Sequence, residues 1–345
     1  MDERELNELA RAVAAQLQLR KRGAGSRERK EATVLPIRPT AQPSNRQSGG
    51  PWMTADPAWR MPVVVRRESD VVSRRSPAAA AATATAYGPV APTHDTRRTA
   101  PVRVADFIDH TVLKAETTRA EIDKLCAEAV EHRFAAVCVN GVWTARCAGL
   151  VRGSGVKVAT VVGFPLGAMT SAAKAFETKQ AVSDGADEID MVAAIGHILD
   201  EDWDHVEDDI RAVVEAAAGR TVKVILETAA LQPLTVVKAA AIAKEAGAHF
   251  VKTSTGFHPA GGATAEAVAL MRLVVGDALG VKASGGVRDC ATALRMIAAG
   301  ANRLGTSSGV KLVDCLGAGP MPLADLLASP DKHEGVCKSG SCETY

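Results

Sequence analysis

The chain has 345 residues, of which 47% are hydrophobic but only 3% aromatic, enough apolar material for a sizeable core. Its net charge of +1 gives no global case for a nucleic-acid partner. No apolar run approaches the roughly 18 residues of a membrane span, and the N-terminus lacks the apolar centre of a signal peptide, so a soluble, cytoplasmic protein with no membrane partner is expected. Seven cysteines, an odd number scattered along the chain, argue for a reducing compartment and against a disulfide framework.

The charge is uneven. The first hundred residues carry about seven more basic than acidic side chains, which marks a boundary near residue 100. Within residues 1–22 the apolar positions Leu6, Leu9, Ala10, Val13, Ala14 and Leu17 form a helical stripe, with Glu5, Glu8, Arg11 and Gln18 on the other faces. Residues 23–100 are rich in Arg, Ser, Pro, Gly and Ala without a sustained period and read as a flexible linker. An amphipathic helix on a long tether should bind something. The segment resembles the encapsulation peptides that carry enzymes into bacterial microcompartments, which implies a shell protein as partner of residues 1–22 and the microcompartment lumen as location. A frayed extension, or a helix that packs between subunits of a homo-oligomer, is the other reading. The arginine patches lack the interleaved aromatics that single-strand binding uses, so nucleic acid is not expected.

From residue 101 strand and helix alternate. Strand-like segments begin at Phe107 (FIDHT), Ala135 (AAVCVN), Lys157 (KVATVVGF), Glu188 (EIDMVAAIG), Lys223 (KVILETA), His249 (HFVKTSTG), Gly280 (GVKASGG) and Asn302 (NRLGTSSG), with amphipathic stretches between them. Eight such repeats predict an α/β fold, a closed TIM (β/α)8 barrel over residues 101–330, followed by a tail at 331–345. A doubly wound sheet is the alternative, weakened by the lack of a G-x-G-x-x-G fingerprint after the first strand.

In a barrel of this kind the chemistry collects at the C-terminal ends of the strands. Those ends supply Asp109, Cys138, Asn140, Asp190, Glu227, Lys252, Lys282 and the turn from Gly305 to Ser308. One lysine at a strand end commonly frays into solvent. Two on successive strands, each followed by small residues and glycine, point to amine chemistry. An ordinary lysine is protonated at neutral pH and cannot attack a carbonyl, but a second ammonium beside it in a desolvated mouth lowers its pKa. Lys252 and Lys282 would be such neighbours, with Asp190 across the mouth relaying protons. The turns Ser284-Gly285-Gly286 and Gly305–Gly309 expose backbone N–H groups suited to a phosphate. The eight histidines show no H-E-x-x-H or other tight ligand spacing, so no metal is expected, and the acid-rich run 200–209 reads as a solvated helix start.

The segments IDHTVLKAETT, AVCVN, VVGFPLGA, GADEIDMV, KVILET, FVKTSTGF, KASGGVR and GTSSG together resemble the deoxyribose-phosphate aldolases, class I aldolases of barrel fold, from about Val104 to Val310. The resemblance implies reversible cleavage of 2-deoxy-D-ribose 5-phosphate to D-glyceraldehyde 3-phosphate and acetaldehyde, without a cofactor. By position it makes Lys252 the Schiff-base lysine, Lys282 the lysine that tunes it, Asp190 the proton-relaying acid and Asp109 a member of the charge network. Phosphate would be held by Gly256, Ser284, Gly285, Gly286, Gly305, Ser307 and Ser308, chiefly through backbone amides. Tyr345 ends a tail like those that reach the active site in some members and assist proton transfer. The chain departs from the pattern at Ala194, where many members have Asn, and at Gly141, often Pro. A Schiff-base aldolase for another phosphosugar and an inactive shell-associated barrel are the competing readings.

Overall fold

The computed structural model of the chain describes residues 101–328. The helix expected at 1–22, the linker at 23–100 and the tail that carries Tyr345 lie outside the described residues.

The elements run β1 (Ile108–Thr111), α1 (Arg119–His132), β2 (Ala136–Val139), α2 (Thr144–Leu150), β3 (Lys157–Val162), α3 (Ser171–Ser183), β4 (Glu188–Val192), α4 (Ile195–Leu199), α5 (Trp203–Ala216), β5 (Thr221–Ile225), α6 (Pro233–Glu245), β6 (Phe250–Lys252), α7 (Ala265–Val275), β7 (Gly280–Ser284), α8 (Cys290–Ala298), β8 (Arg303–Thr306), α9 (Gly309–Leu316) and α10 (Leu323–Leu327). All eight strands are parallel and each pairs with its sequence neighbours, β8 closing on β1. The eight-stranded barrel expected from the alternation is therefore the fold.

Local chemistry starts the helices where the sequence suggests. Thr118 and Glu121 form a capping box at α1, and Thr170, Asp202, Thr264 and Asp289 accept backbone N–H bonds at the starts of α3, α5, α7 and α8. Pro233 opens α6, where its missing N–H costs nothing.

Strand side chains alternate between two environments. Val137, Val139, Ile189, Met191, Val222, Val224, Val281 and Ala283 face the helices and form the main core with them. Each such valine, isoleucine or methionine side chain contributes about 1.5–3 kcal/mol by leaving water. The opposite faces point into the barrel. On the β2–β3 side this interior is apolar, with Ala136, Cys138, Ala159 and Val161 packed under Leu113. Across β4 to β8 it holds Glu188, Asp190, Lys223, Lys252 and Lys282, all buried.

Two expectations are corrected. Asp209 is not on a solvated helix face: it is fully buried in α5 and pairs with Lys174 of α3 at 2.6 Å. The same ammonium donates to the Val192 carbonyl at 2.9 Å, so this ion pair fixes the end of β4, which explains why a carboxylate can sit in the core. The cysteines are not all thiols either. Cys290 of α8 and Cys315 of α9 form a disulfide between neighbouring helices, while Cys126, Cys138 and Cys147 are buried and free.

Candidate active site

The barrel register brings the charged side chains together. Lys252 of β6 and Lys282 of β7 are Cα partners, Lys282 is opposite Arg303 of β8, and Asp190 of β4 is opposite Lys223 of β5. Asp109 reaches the group from β1, whose pairing with β8 closes the ring.

Asp190 is the hub. Its Oδ2 accepts from Lys252 Nζ at 3.0 Å and from Lys282 Nζ at 2.7 Å, and its Oδ1 accepts from Lys223 Nζ at 2.6 Å. Lys282 also lies 2.5 Å from Asp109 Oδ2. Lys223 lies 2.6 Å from Glu188 Oε2. Arg303 closes the network, bonding Asp109 through Nε at 2.5 Å and Glu188 through Nη2 at 3.0 Å.

Charge counting singles out one member. Asp109, Glu188 and Asp190 carry three negative charges, and Lys223, Lys282 and Arg303 carry three positive ones. The cluster is balanced without Lys252, whose protonation would add an uncompensated charge in a buried site. The individual groups behave accordingly. Burial pushes the Lys252 amine below the ordinary lysine range, with Lys282 helping and Asp190 opposing. Burial also acts against the Lys282 ammonium, but Asp109 and Asp190 outweigh it and hold the pKa above the usual value. For Lys223 burial likewise loses to Asp190 and Glu188, so this lysine stays charged. Asp190 resists burial because Lys223, Lys252 and Lys282 surround it, and its carboxyl lies well below the usual range. Asp109 is held down in the same way by Arg303, Lys282 and Lys223.

The structure thus brings Lys252, Lys282, Asp190 and Asp109 into one network, as the sequence reading expects. It adds Lys223, Glu188 and Arg303, which that reading missed. Their signal was strand alternation: Glu188 lies two residues before Asp190 and Arg303 two before Gly305, each on the inward face. Lys223 looked like a strand start because the strand begins two residues earlier, at Thr221. Cys138 lies 4.0 Å from both Asp190 Oδ2 and Lys282 Nζ. Burial raises its thiol pKa, so it offers a polarizable wall rather than a nucleophile.

The rim above β6 to β8 is built from close backbone approaches. Gly285 and Gly286, after β7, have φ of 83° and 85°, a region that disfavours side chains. Ala263 N–H donates to the Gly285 carbonyl at 2.9 Å, and a Cβ on Gly262 would lie 2.2 Å from that oxygen. Gly256 packs against Gly285 from the other side. Among the phosphate candidates, Gly256, Gly286 and Ser307 are exposed at this rim and Ser307 precedes α9. Two of the expected amide donors are otherwise engaged: Ser284 N–H bonds Thr253 Oγ1 at 3.0 Å and Ser308 N–H bonds Thr306 Oγ1 at 2.9 Å. Ser284 keeps a buried hydroxyl without a partner. Gly305 sits inside β8, where a Cβ would collide with the Ser284 side chain at 2.2 Å, so its small size makes room for the inward groups beside it. Arg288 is exposed and Asn140 donates to the Leu113 carbonyl at 3.1 Å.

Glu227 anchors the loop after β6. It adopts a left-handed conformation with φ of 56°, is buried, and accepts from Thr255 Oγ1 at 2.5 Å and Thr255 N–H at 3.2 Å. Thr253 ties the same loop to β7 by donating to the Ser284 carbonyl at 3.1 Å.

Comparison with known proteins agrees with this geometry. Residues 103–313 match the DeoC/LacD family aldolase model. A deoxyribose-phosphate aldolase of Bdellovibrio bacteriovorus is 56% identical over 212 residues, 61% of this chain and 96% of that protein. One from a Geobacillus species is 57% identical over 212 residues, covering 61% and 95%. A solved structure described as a tetrameric deoxyribose phosphate aldolase from Aeropyrum pernix superposes with a TM-score of 0.57 at 34% identity, covering 61% of this chain and 89% of that one. With its closed barrel, buried lysine pair and extended sequence match, the chain belongs to the DeoC/LacD aldolase family.

Proposed function

We propose that the chain is a deoxyribose-phosphate aldolase that works through a Schiff base on Lys252, reversibly cleaving 2-deoxy-D-ribose 5-phosphate to D-glyceraldehyde 3-phosphate and acetaldehyde. The observation that carries this reading is the balanced charge cluster, which leaves Lys252 as the one amine that gains by losing its proton.

In the cleavage direction the neutral Lys252 amine attacks the C1 aldehyde of the open sugar to give a carbinolamine, and loss of water gives a protonated imine. The imine draws electrons from the C2–C3 bond as the C3 hydroxyl loses its proton, releasing glyceraldehyde 3-phosphate and leaving an enamine on Lys252. Protonation at C2 and addition of water then free acetaldehyde and the amine. Lys282 is the charged lysine at the same Asp190 oxygen, so it supports the electron-withdrawing site and supplies protons. Asp190 holds the Lys252 amine and the Lys282 ammonium at one oxygen and, with an entering water, passes protons between them. Asp109 keeps Lys282 charged. This chemistry needs no cofactor.

The rim of Gly256, Gly285, Gly286 and Ser307, with the Ser284 hydroxyl and the first turn of α9, receives the phosphate. Gly305 and Ser308 contribute by shape and turn geometry. The first hundred residues serve location: the apolar stripe of residues 1–22 docks on a microcompartment shell protein, and a reporter carrying that segment becomes punctate in a shell-forming host, a diffuse signal removing the idea. Tyr345 assists proton transfer to C2.

The enzyme reading is tested by borohydride reduction in the presence of acetaldehyde followed by peptide mass mapping. A two-carbon adduct on Lys252 is expected, and an adduct absent from Lys252 overturns the mechanism. A panel of phosphosugars separates deoxyribose 5-phosphate from other substrates.

A further inference from the structure

We infer a second site on the chain, for a divalent transition-metal ion of the zinc class, formed by His197, Asp202 and His205 at the connection between α4 and α5. Their ligand atoms all lie within 4.8 Å of one another, and the three form the one group of this kind among the described residues. The sequence reading expects no metal because the histidines show no H-E-x-x-H or other tight ligand spacing. Here the spacing is H-x4-D-x2-H, and a tight turn folds it together.

The ligands stand on a fixed frame. Asp200 N–H bonds the Gly196 carbonyl at 3.0 Å and Asp202 N–H bonds the His197 carbonyl at 2.9 Å, so the chain turns back on α4 before α5 begins. Glu201 at the turn has φ of 56° and accepts from Lys238 of α6 at 3.0 Å, while that ammonium also lies over the Trp203 ring. Asp202 is oriented by the backbone: its Oδ1 accepts from His205 N–H at 3.4 Å, which leaves Oδ2 turned toward His197 Nδ1 at 3.0 Å. The two imidazoles stack with centroids 3.6 Å apart and planes 17° from parallel. Donors bound at the usual 2.0–2.2 Å around one ion are about 3.4 Å apart, so binding draws the three donors together and turns the stacked imidazoles so that their ring planes converge on the ion.

Two imidazoles and one carboxylate are a ligand set for zinc and its first-row neighbours, not for calcium or magnesium, which take mainly oxygen donors. All three side chains are partly or wholly exposed, so water completes the coordination shell. Asp200, Glu201, Asp204, Glu207 and Asp208 surround the triad in sequence and favour a dication over a small anion. A bound ion replaces the His197–Asp202 hydrogen bond and staples α4 to α5, at the exit of the strand that carries Asp190. This role is structural and separate from the amine chemistry.

The experiment uses the full chain, stripped with a chelator and titrated with zinc chloride by calorimetry, with thermal melts in parallel. The wild-type chain is expected to bind one equivalent and to melt at higher temperature with zinc, and H197A/H205A is expected to lose both effects, the zinc-induced shift being read against the variant's own metal-free melt. Asp202→Asn keeps an N-cap residue but removes the charged ligand, and is expected to weaken binding by about tenfold or more. Cobalt substitution is expected to give a spectrum without thiolate-to-metal charge transfer, which excludes a cysteine site. Zinc binding and a melting shift that persist unchanged in H197A/H205A, or no binding by the wild-type chain, would overturn the assignment.

Discussion

Lys252 and Lys282 face each other across β6 and β7 and send both amines to one oxygen, Asp190 Oδ2, yet their pKa values move in opposite directions although burial acts against both charges. The difference is Asp109, which lies 2.5 Å from Lys282 and gives it a second carboxylate. Lys282→Met removes one positive charge from a balanced cluster and makes Lys252 the replacement counter-ion. The pKa of Lys252 then rises, and the rate of imine trapping at neutral pH falls about tenfold for each unit of that rise. A pH profile of borohydride trapping checks this: the rising limb moves to higher pH in the variant, and an unmoved limb counts against the charge argument.

In the wild-type chain the same limb lies below 10.5, the ordinary lysine value, because the folded state releases the Lys252 proton early. For Asp109 and Asp190 the folded pKa values are depressed, so the unfolded chain binds more protons in the acid range. Their contribution to stability is fully present above about pH 4 and is lost as pH falls from there toward the folded values. Chemical denaturation between pH 5 and 2 is expected to show this loss. Asp109→Asn flattens it, and a slope unchanged in that variant would show that other carboxylates govern acid unfolding.

Lys223→Met tests the lysine that strand position concealed. It leaves Glu188 and Asp190 Oδ1 without their closest cation, and the expected loss of stability is about 3–5 kcal/mol, as for other broken buried pairs. Urea unfolding measures it. Trapping at high pH should still label Lys252, because the nucleophile is intact.

Glu227→Gln and Gly262→Ala address the rim. Gln keeps the shape of Glu227 but weakens the bonds to Thr255, loosening the loop that carries Gly256, and Ala at 262 pushes the Gly285 carbonyl away. Both are expected to raise KM for phosphorylated sugars by about tenfold, the effect of roughly 1.4 kcal/mol. Turnover of unphosphorylated deoxyribose should change less. Equal losses on the two substrates would place the effect in the amine site.

Particular residues show why the barrel was easy to read and the site only partly so. The strands announced themselves because the outward positions, such as Val137, Ile189, Val222 and Val281, must be apolar to pack under helices. Lys252 and Lys282 were visible because glycine-rich turns follow them. Lys223, Glu188 and Arg303 carry no such flag, and their meaning depends on a closed ring that places β4, β5 and β8 around the same space. Asp209 misled because a run of acids resembles a wet helix face, and only the packing of α3 against α5 puts Lys174 beside it. The His197–Asp202–His205 group escaped because only the turn between α4 and α5 brings His197 beside the Asp202–His205 pair.

The charged chain from Glu188 through Lys223, Asp190, Lys282, Asp109 and Arg303 draws on β1, β4, β5, β7 and β8, with Lys252 of β6 attached at its hub. Reactivity and hoop strength therefore share the same atoms. Attempts to redesign this aldolase for other aldehydes have little freedom among those seven side chains, since each exchange loosens the wall as it retunes the amine. The glycine rim is built from close main-chain approaches, so it too resists change by substitution. Adaptability is left to the loops over the β2–β3 side, where the interior is apolar and no charge must be matched.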